Sequence, residues 1–175
     1  MTKKGLTIIL TGNGKGKSSS AFGMIIRSLG WGRRVLLVQF LKGLWETGEE
    51  NFFERLNDDK LEIIRAKCPF TWKSQDKAKD AQVCRDIWNE ALKKITENIF
   101  NVVVFDELMI TLQQGFLDIS DIVEFLKTRN PDIDVVITGR NAPEELIELA
   151  DTVSEINSVK HAFDKGLVAK KGIDF

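Results

Sequence analysis

Leu6-Thr7-Ile8-Ile9-Leu10 runs into Thr11-Gly12-Asn13-Gly14-Lys15-Gly16-Lys17-Ser18, and Ser19-Ser20-Ala21-Phe22-Gly23-Met24-Ile25-Ile26 follows. A short apolar run, a loop of alternating glycines and lysines, and a segment of helical character read as strand, tight turn and helix. Glycines let the backbone curl so that successive N–H groups point inward, the helix N-terminus adds partial positive charge, and Lys17 adds a full one. Such a loop cradles phosphate, and Ser18 stands where a hydroxyl can reach a magnesium ion. An ordinary strand-to-helix turn needs neither three alternating glycines nor two interleaved lysines. The usual spacing is G-x-x-x-x-G-K-[ST]; counting back from Gly16 puts Thr11 at the first glycine, so the loop is a variant enriched in Gly12, Gly14 and Lys15.

Outward from this loop, short runs rich in branched residues alternate with longer segments of helical period. The expected strands are Leu6–Leu10, Val35–Phe40, Leu61–Arg65, Val102–Phe105, Val135–Thr138 and Val153–Ile156. Val102-Val103-Val104-Phe105 and Val135-Val136-Ile137 are continuously apolar, as strands buried on both faces are, and belong in the middle of the sheet. Ile119, Ile122, Val123 and Leu126 make one helical stripe, with Asp118 or Ser120 as its cap and Asn130-Pro131 as its stop. A longer helix is expected over Asp76–Asn98, with Val83, Ile87, Ala91 and Ile95 on one face, and another after Pro143. Asn157–Phe175 has no strong period and is expected as an irregular tail packed over the domain. The pattern predicts an α/β fold: a P-loop NTPase-like three-layer sandwich with a mainly parallel central sheet of about six strands, residues 1–175 forming a single domain.

Bulk properties narrow the function. With 175 residues, 43% apolar and 29% charged, the chain suits one well-formed core. A net charge of -1 supplies no general positive field, which argues against a dedicated nucleic-acid binder. The apolar run after Lys4 is too short for a signal peptide or a membrane span, so the expectation is a cytoplasmic protein with no membrane partner. Cys68 and Cys84 give neither a disulfide framework nor a zinc spacing, and free thiols are expected.

The second half of a phosphate site is expected where Val102–Phe105 ends in Asp106-Glu107. Carboxylates at the carboxyl end of a central parallel strand stand where ligands gather, and either can hold Mg²⁺ directly or through water. Thr138-Gly139-Arg140 closes the next strand on the same edge; Arg140 reaches phosphate oxygens or pairs with a carboxylate. Gln39 and Lys42, in Gln39-Phe40-Leu41-Lys42-Gly43, open onto that edge too. On these residues alone three classes remain: a phosphoryl-transfer enzyme such as a small-molecule kinase or ATPase, a nucleotide-driven motor or switch, and an enzyme that uses another part of ATP.

The ordered set of motifs resembles one family, the P-loop ATP:corrinoid (cob(I)alamin) adenosyltransferases. It comprises Thr11–Ser18 with Ala21-Phe22-Gly23, Gln39–Gly43 with Gly48-Glu49, Phe70-Thr71-Trp72, Asp106-Glu107 and Thr138-Gly139-Arg140. It continues through Ala150-Asp151-Thr152-Val153-Ser154-Glu155 and Lys160-His161-Ala162-Phe163-Asp164 to Gly172-Ile173-Asp174-Phe175. The family also carries threonine at the position of Thr11. The resemblance implies transfer of the 5′-deoxyadenosyl group of ATP to Co(I) of a reduced corrinoid, in adenosylcobalamin biosynthesis or salvage, with release of triphosphate. The loop of Gly12, Asn13, Gly14, Lys15, Gly16, Lys17 and Ser18 then holds the triphosphate in reverse, as a leaving group. Lys17, Lys15 and Mg²⁺ on Ser18 and Glu107 stabilise its charge.

On sequence alone Phe70 and Trp72 read most simply as packing aromatics; the resemblance implies that they line the corrinoid side and help displace the lower axial ligand. It also implies a homodimer and a flavoprotein-type reductant. His161, the lone histidine, reads as structural. Some members carry an extension before the first strand, whereas five residues precede Leu6 here, so the corrinoid is expected to be less enclosed or covered by another segment.

Overall fold

The computed structural model describes residues 4–40, 47–65 and 76–174. Its strands are β1 (Thr7–Thr11), β2 (Val35–Gln39), β3 (Leu61–Arg65), β4 (Val102–Asp106), β5 (Asp134–Thr138) and β6 (Thr152–Glu155). All pairings are parallel, in the order β3-β2-β4-β5-β1-β6, which puts the two continuously apolar strands at the centre. Side chains alternate between the faces. Leu36, Val38, Val103, Phe105, Val135 and Ile137 enter one apolar cluster, and Val35, Leu37, Val102, Val104 and Val136 the other.

Helices cover both faces. α1 (Lys17–Gly30) and α2 (Gly48–Leu56) bury Ala21, Phe22, Ile25 and Phe53 in the second cluster. α3 (Lys77–Ile95), α4 (Leu108–Gln113), α5 (Ile119–Thr128) and α6 (Glu144–Leu149) cover the other face, where Trp88, Phe105 and Phe125 meet in edge and tilted ring contacts. Asp76 caps α3, accepting from Lys79 N–H. Its buried stripe runs through Cys84, Ile87, Trp88, Ala91 and Ile95, and Val83 is only half-buried. Asp118, not Ser120, caps α5, and Pro143 stands just before α6.

Three features depart from the sequence reading. α2 and α4 appear where no helix was expected. α2 starts from a capping box in which Thr47 Oγ1 accepts from Glu50 N–H while the Glu50 carboxylate takes Thr47 N–H. The tail covers little of the body: Val159, Phe163, Leu167, Val168 and Ile173 are all exposed, although Gly172 and Ile173 also border a recess with Phe22, Ile26, Phe52 and Phe53. No described helix is long and apolar enough to cross a membrane. Burial holds the Cys84 thiol up at about 11, so it stays protonated and packs as a small hydrophobe; Cys68 lies outside the described residues.

Candidate functional site

The strand order determines where chemistry can gather. From β1 the chain passes through α1 to β2, beyond β5 and β4, whereas from β5 it passes through α6 to β6 on the other side. Connections thus diverge above the carboxyl ends of β1 and β5, the usual place for a ligand crevice in an open parallel sheet. A cleft of about 380 Å³ opens there, lined by residues 13–19 together with Glu49, Glu107, Arg140, His161 and Asp174. That size falls within the range of small-molecule sites.

The loop geometry is that of an anion cradle. Gly12 has φ +93° and Gly16 φ +121°, values that L side chains rarely adopt. A Cβ on Gly12 would also lie 2.5 Å from the Ile156 carbonyl oxygen. Gly14 N–H donates to that same oxygen at 2.6 Å, tying the loop to the end of β6. At the variant position, Thr11 Oγ1 accepts from Ala142 N–H at 3.2 Å, so the hydroxyl braces the loop's base against the segment after β5. Lys17 opens α1, is only 7% exposed, and donates Nζ–H to the Gly14 carbonyl at 2.8 Å. Burial lowers its pKa, Glu107 opposing and Arg140 reinforcing the effect. Lys15 pairs with Asp174 of the tail at 2.7 Å.

The acidic pair stands at the end of β4, and Glu107 of the pair lines the cleft. Asp106 ends β4, buried, with Oδ1 accepting from Thr138 Oγ1 at 2.7 Å and Oδ2 from Gln39 Nε2 at 3.4 Å. Glu107 has φ +59°, and its Oε2 is buried without a hydrogen-bond partner. Burial, then Asp106, push its pKa above the ordinary value, against Lys17 and Arg140. A buried carboxylate oxygen lacking a partner, in a cleft that Ser18 also lines, is a donor set that suits a hard cation. Among the described residues no group of three or more His, Cys, Asp or Glu side chains forms a metal cage, so phosphate oxygens and water would have to complete the coordination of such an ion.

Of the residues expected from sequence, Asn13, Gly14, Lys15, Gly16, Lys17, Ser18, Glu107 and Arg140 line this cleft. Gly12, Gln39 and Asp106 do not: Gly12 sits at the loop's base against Ile156, and Gln39 and Asp106 stand behind the cleft in a buried hydrogen-bonded pair. Lys42, Phe70 and Trp72 lie outside the described residues. Ser19, Glu49, His161 and Asp174 line the cleft without having been expected there, although the last three belong to motifs quoted above. His161 Nδ1 accepts from Phe163 N–H and caps the short turn Ala162–Lys165.

A glycine-lysine loop opening a helix on a parallel sheet, with an acidic pair at the end of a central strand, defines a P-loop nucleotide-binding protein. The ATPase chain "EssC (ATPases 2 and 3)" of Geobacillus thermodenitrificans superposes with TM-score 0.51 at 10% identity, over 97% of this chain and 35% of that one, a likeness of fold alone. The family model "ATP:corrinoid adenosyltransferase BtuR/CobO/CobP" matches residues 3–175, and the chain belongs to that family. It is 42% identical over 173 residues to the corrinoid adenosyltransferase of Pseudomonas aeruginosa, covering 99% of this chain and 85% of that protein. Its identity to the corrinoid adenosyltransferase of Escherichia coli K12 is 39%, covering 99% and 87%.

Proposed function

We propose that this chain transfers the 5′-deoxyadenosyl group of ATP to the cobalt of a reduced corrinoid. The observation that carries the reading is near-full-length identity to bacterial corrinoid adenosyltransferases, joined to an intact phosphate-binding cleft. In the balanced step the Co(I) electron pair attacks C5′ of the ribose, a cobalt–carbon bond forms, and the bond from C5′ to the α-phosphate oxygen breaks. Triphosphate departs with that bond's electrons. Co(I) is itself the nucleophile, so the chain need supply no general base.

The chain's own task is to hold the leaving group. Inward N–H groups of the loop, Lys15, Lys17 and Arg140 bind the triphosphate, and Lys17 is poised to meet the charge that grows on it. Such positioned contacts are typically worth about 3–4 kcal/mol each. Ser18 and Glu107 would hold Mg²⁺, with Asp106 behind them; the ion would neutralise phosphate charge. The family resemblance assigns Lys42 to the nucleotide and Phe70 and Trp72 to the corrinoid, while Gln39 supports the nucleotide side from behind the cleft through Asp106. The protein works in the cytoplasm as a single-domain subunit of a homodimer, and a flavoprotein-type reductant donates the electrons that bring the corrinoid to Co(I).

The test supplies ATP, Mg²⁺ and anaerobically reduced cobalamin, then follows the cobalt–carbon product optically and the released phosphates by chromatography. Adenosylcobalamin and triphosphate in equal amounts are expected. ADP and phosphate without alkylation would instead identify the kinase or ATPase considered above.

A further inference from the structure

Thr138 ends β5, the strand lying between the loop strand β1 and the acidic strand β4, and is completely buried. A threonine hydroxyl has one proton to give and lone pairs to receive. Here the proton goes to Asp106 Oδ1 at 2.7 Å, and the oxygen accepts Glu107 N–H at 2.9 Å. One hydroxyl therefore grips the side chain of one acid and the backbone of the next. Gln39, the register partner of Asp106 on β2, takes the other Asp106 oxygen.

The two acids consequently face different ways. Asp106 is engaged on both oxygens within the sheet edge, while Glu107 lines the cleft with one oxygen unpartnered. Glu107 achieves this from a left-handed backbone conformation, which a non-glycine residue keeps only where its surroundings hold it. The N–H bond to Thr138 is the side-chain contact that holds it.

We infer that Thr138 is a positioning residue for the acidic pair: its hydroxyl keeps Asp106 turned into the sheet and pins the turn that presents the Glu107 carboxylate to the magnesium–nucleotide. The inference rests on the reading of Glu107 as the cleft-facing carboxylate for the metal. Thr138 itself is fully buried and does not line the cleft. Its loss should therefore weaken metal coupling without altering the loop's own grip on phosphate.

The experiment measures ATP affinity calorimetrically with Mg²⁺ and with EDTA, and takes the ratio as the metal's contribution. Thr138→Val keeps the side chain's shape and removes the donor; Thr138→Ser keeps the donor. Outer partners of metal ligands typically change metal affinity roughly ten- to hundredfold. Thr138→Val should shrink the ratio by that factor with EDTA-state affinity unchanged, and Thr138→Ser should restore most of it. Thermal unfolding of each variant is read alongside, and Thr138→Ala replaces Thr138→Val if the latter does not fold. A wild-type ratio in the hydroxyl-free variant overturns the inference, as does an equal loss in Thr138→Ser that merely tracks melting temperature. Glu107→Gln serves as the control: if it keeps the wild-type ratio, the carboxylate reading itself falls and takes this inference with it. If Glu107→Gln shrinks the ratio and Thr138→Val does not, only the inference falls.

Discussion

Glu107→Gln should make the ligand-free protein more stable while impairing its use of Mg·ATP. The carboxylate has a buried oxygen without a partner and sits beside Asp106, and burial is the main reason its pKa stands above the ordinary 4.5. Gln keeps the length and the left-handed turn and removes the charge. Leaving a buried polar group unsatisfied costs about 1–3 kcal/mol, more when it is charged, and the amide retains part of that cost. A gain of about 1–2 kcal/mol at pH 7 is the difference expected. For a domain of this size that raises Tm by roughly 2–8 °C. The pH dependence has a definite sign. Above about pH 4.5 the folded protein holds the Glu107 proton more tightly than the unfolded chain, so ionising this group lowers stability as pH rises through the raised pKa. The variant escapes that loss. Its advantage should grow as pH rises from 4.5 through the raised pKa, and vanish once glutamate is protonated in both states. The assay is thermal unfolding of both ligand-free proteins from pH 4 to 8, repeated with saturating Mg·ATP, where the wild type should gain more than the variant. A variant less stable than wild type at pH 7, or an advantage independent of pH, would refute the reasoning.

Lys17→Met removes the buried cation and keeps its stem, and kcat for adenosylation should fall roughly 100- to 1000-fold in steady-state assays. Gly12→Ala puts a Cβ 2.5 Å from the Ile156 carbonyl oxygen at φ +93°, and should abolish ATP binding by calorimetry while destabilising the fold by about 1–3 kcal/mol in denaturant titration. Asp174→Asn frees Lys15 from its partner in the cleft; ATP should bind more tightly at low salt, with the gain fading at high ionic strength. Trp72→Ala should slow adenosylation while leaving ATP affinity nearly intact, and equal loss of both would remove Trp72 from the corrinoid side.

Local sequence carries the parts of this molecule whose signal is itself local. The loop from Thr11 to Ser18 is legible because its demands, positive φ and closely packed backbone, are met by residue types that advertise them. β4 and β5 were legible as central strands because Val103 and Phe105 enter one apolar cluster and Val102 and Val104 the other, so no polar alternation is tolerated. α2 was hidden by its charge: Glu49, Glu50, Glu54 and Arg55 blur the apolar stripe, and the signal that marks it is Thr47 spaced three residues before Glu50. α4 left no comparable trace. It is six residues long and is entered from a left-handed glutamate, a residue type that does not announce that conformation.

The division of labour between Asp106 and Glu107 was illegible for a different reason. As adjacent carboxylates they are nearly equivalent in sequence, and either suits a metal. What separates them is the neighbour on each side. β4 stands between β2 and β5, so Gln39 and Thr138 both reach Asp106, while the next residue has already left the sheet. Thr138 read alone is an ordinary strand former at the end of an apolar run. Its meaning depends on which strands lie beside it, and strand order is a property of the whole chain. A sheet edge of this kind therefore displays its ligand-facing loops in sequence and conceals the side chains that aim them.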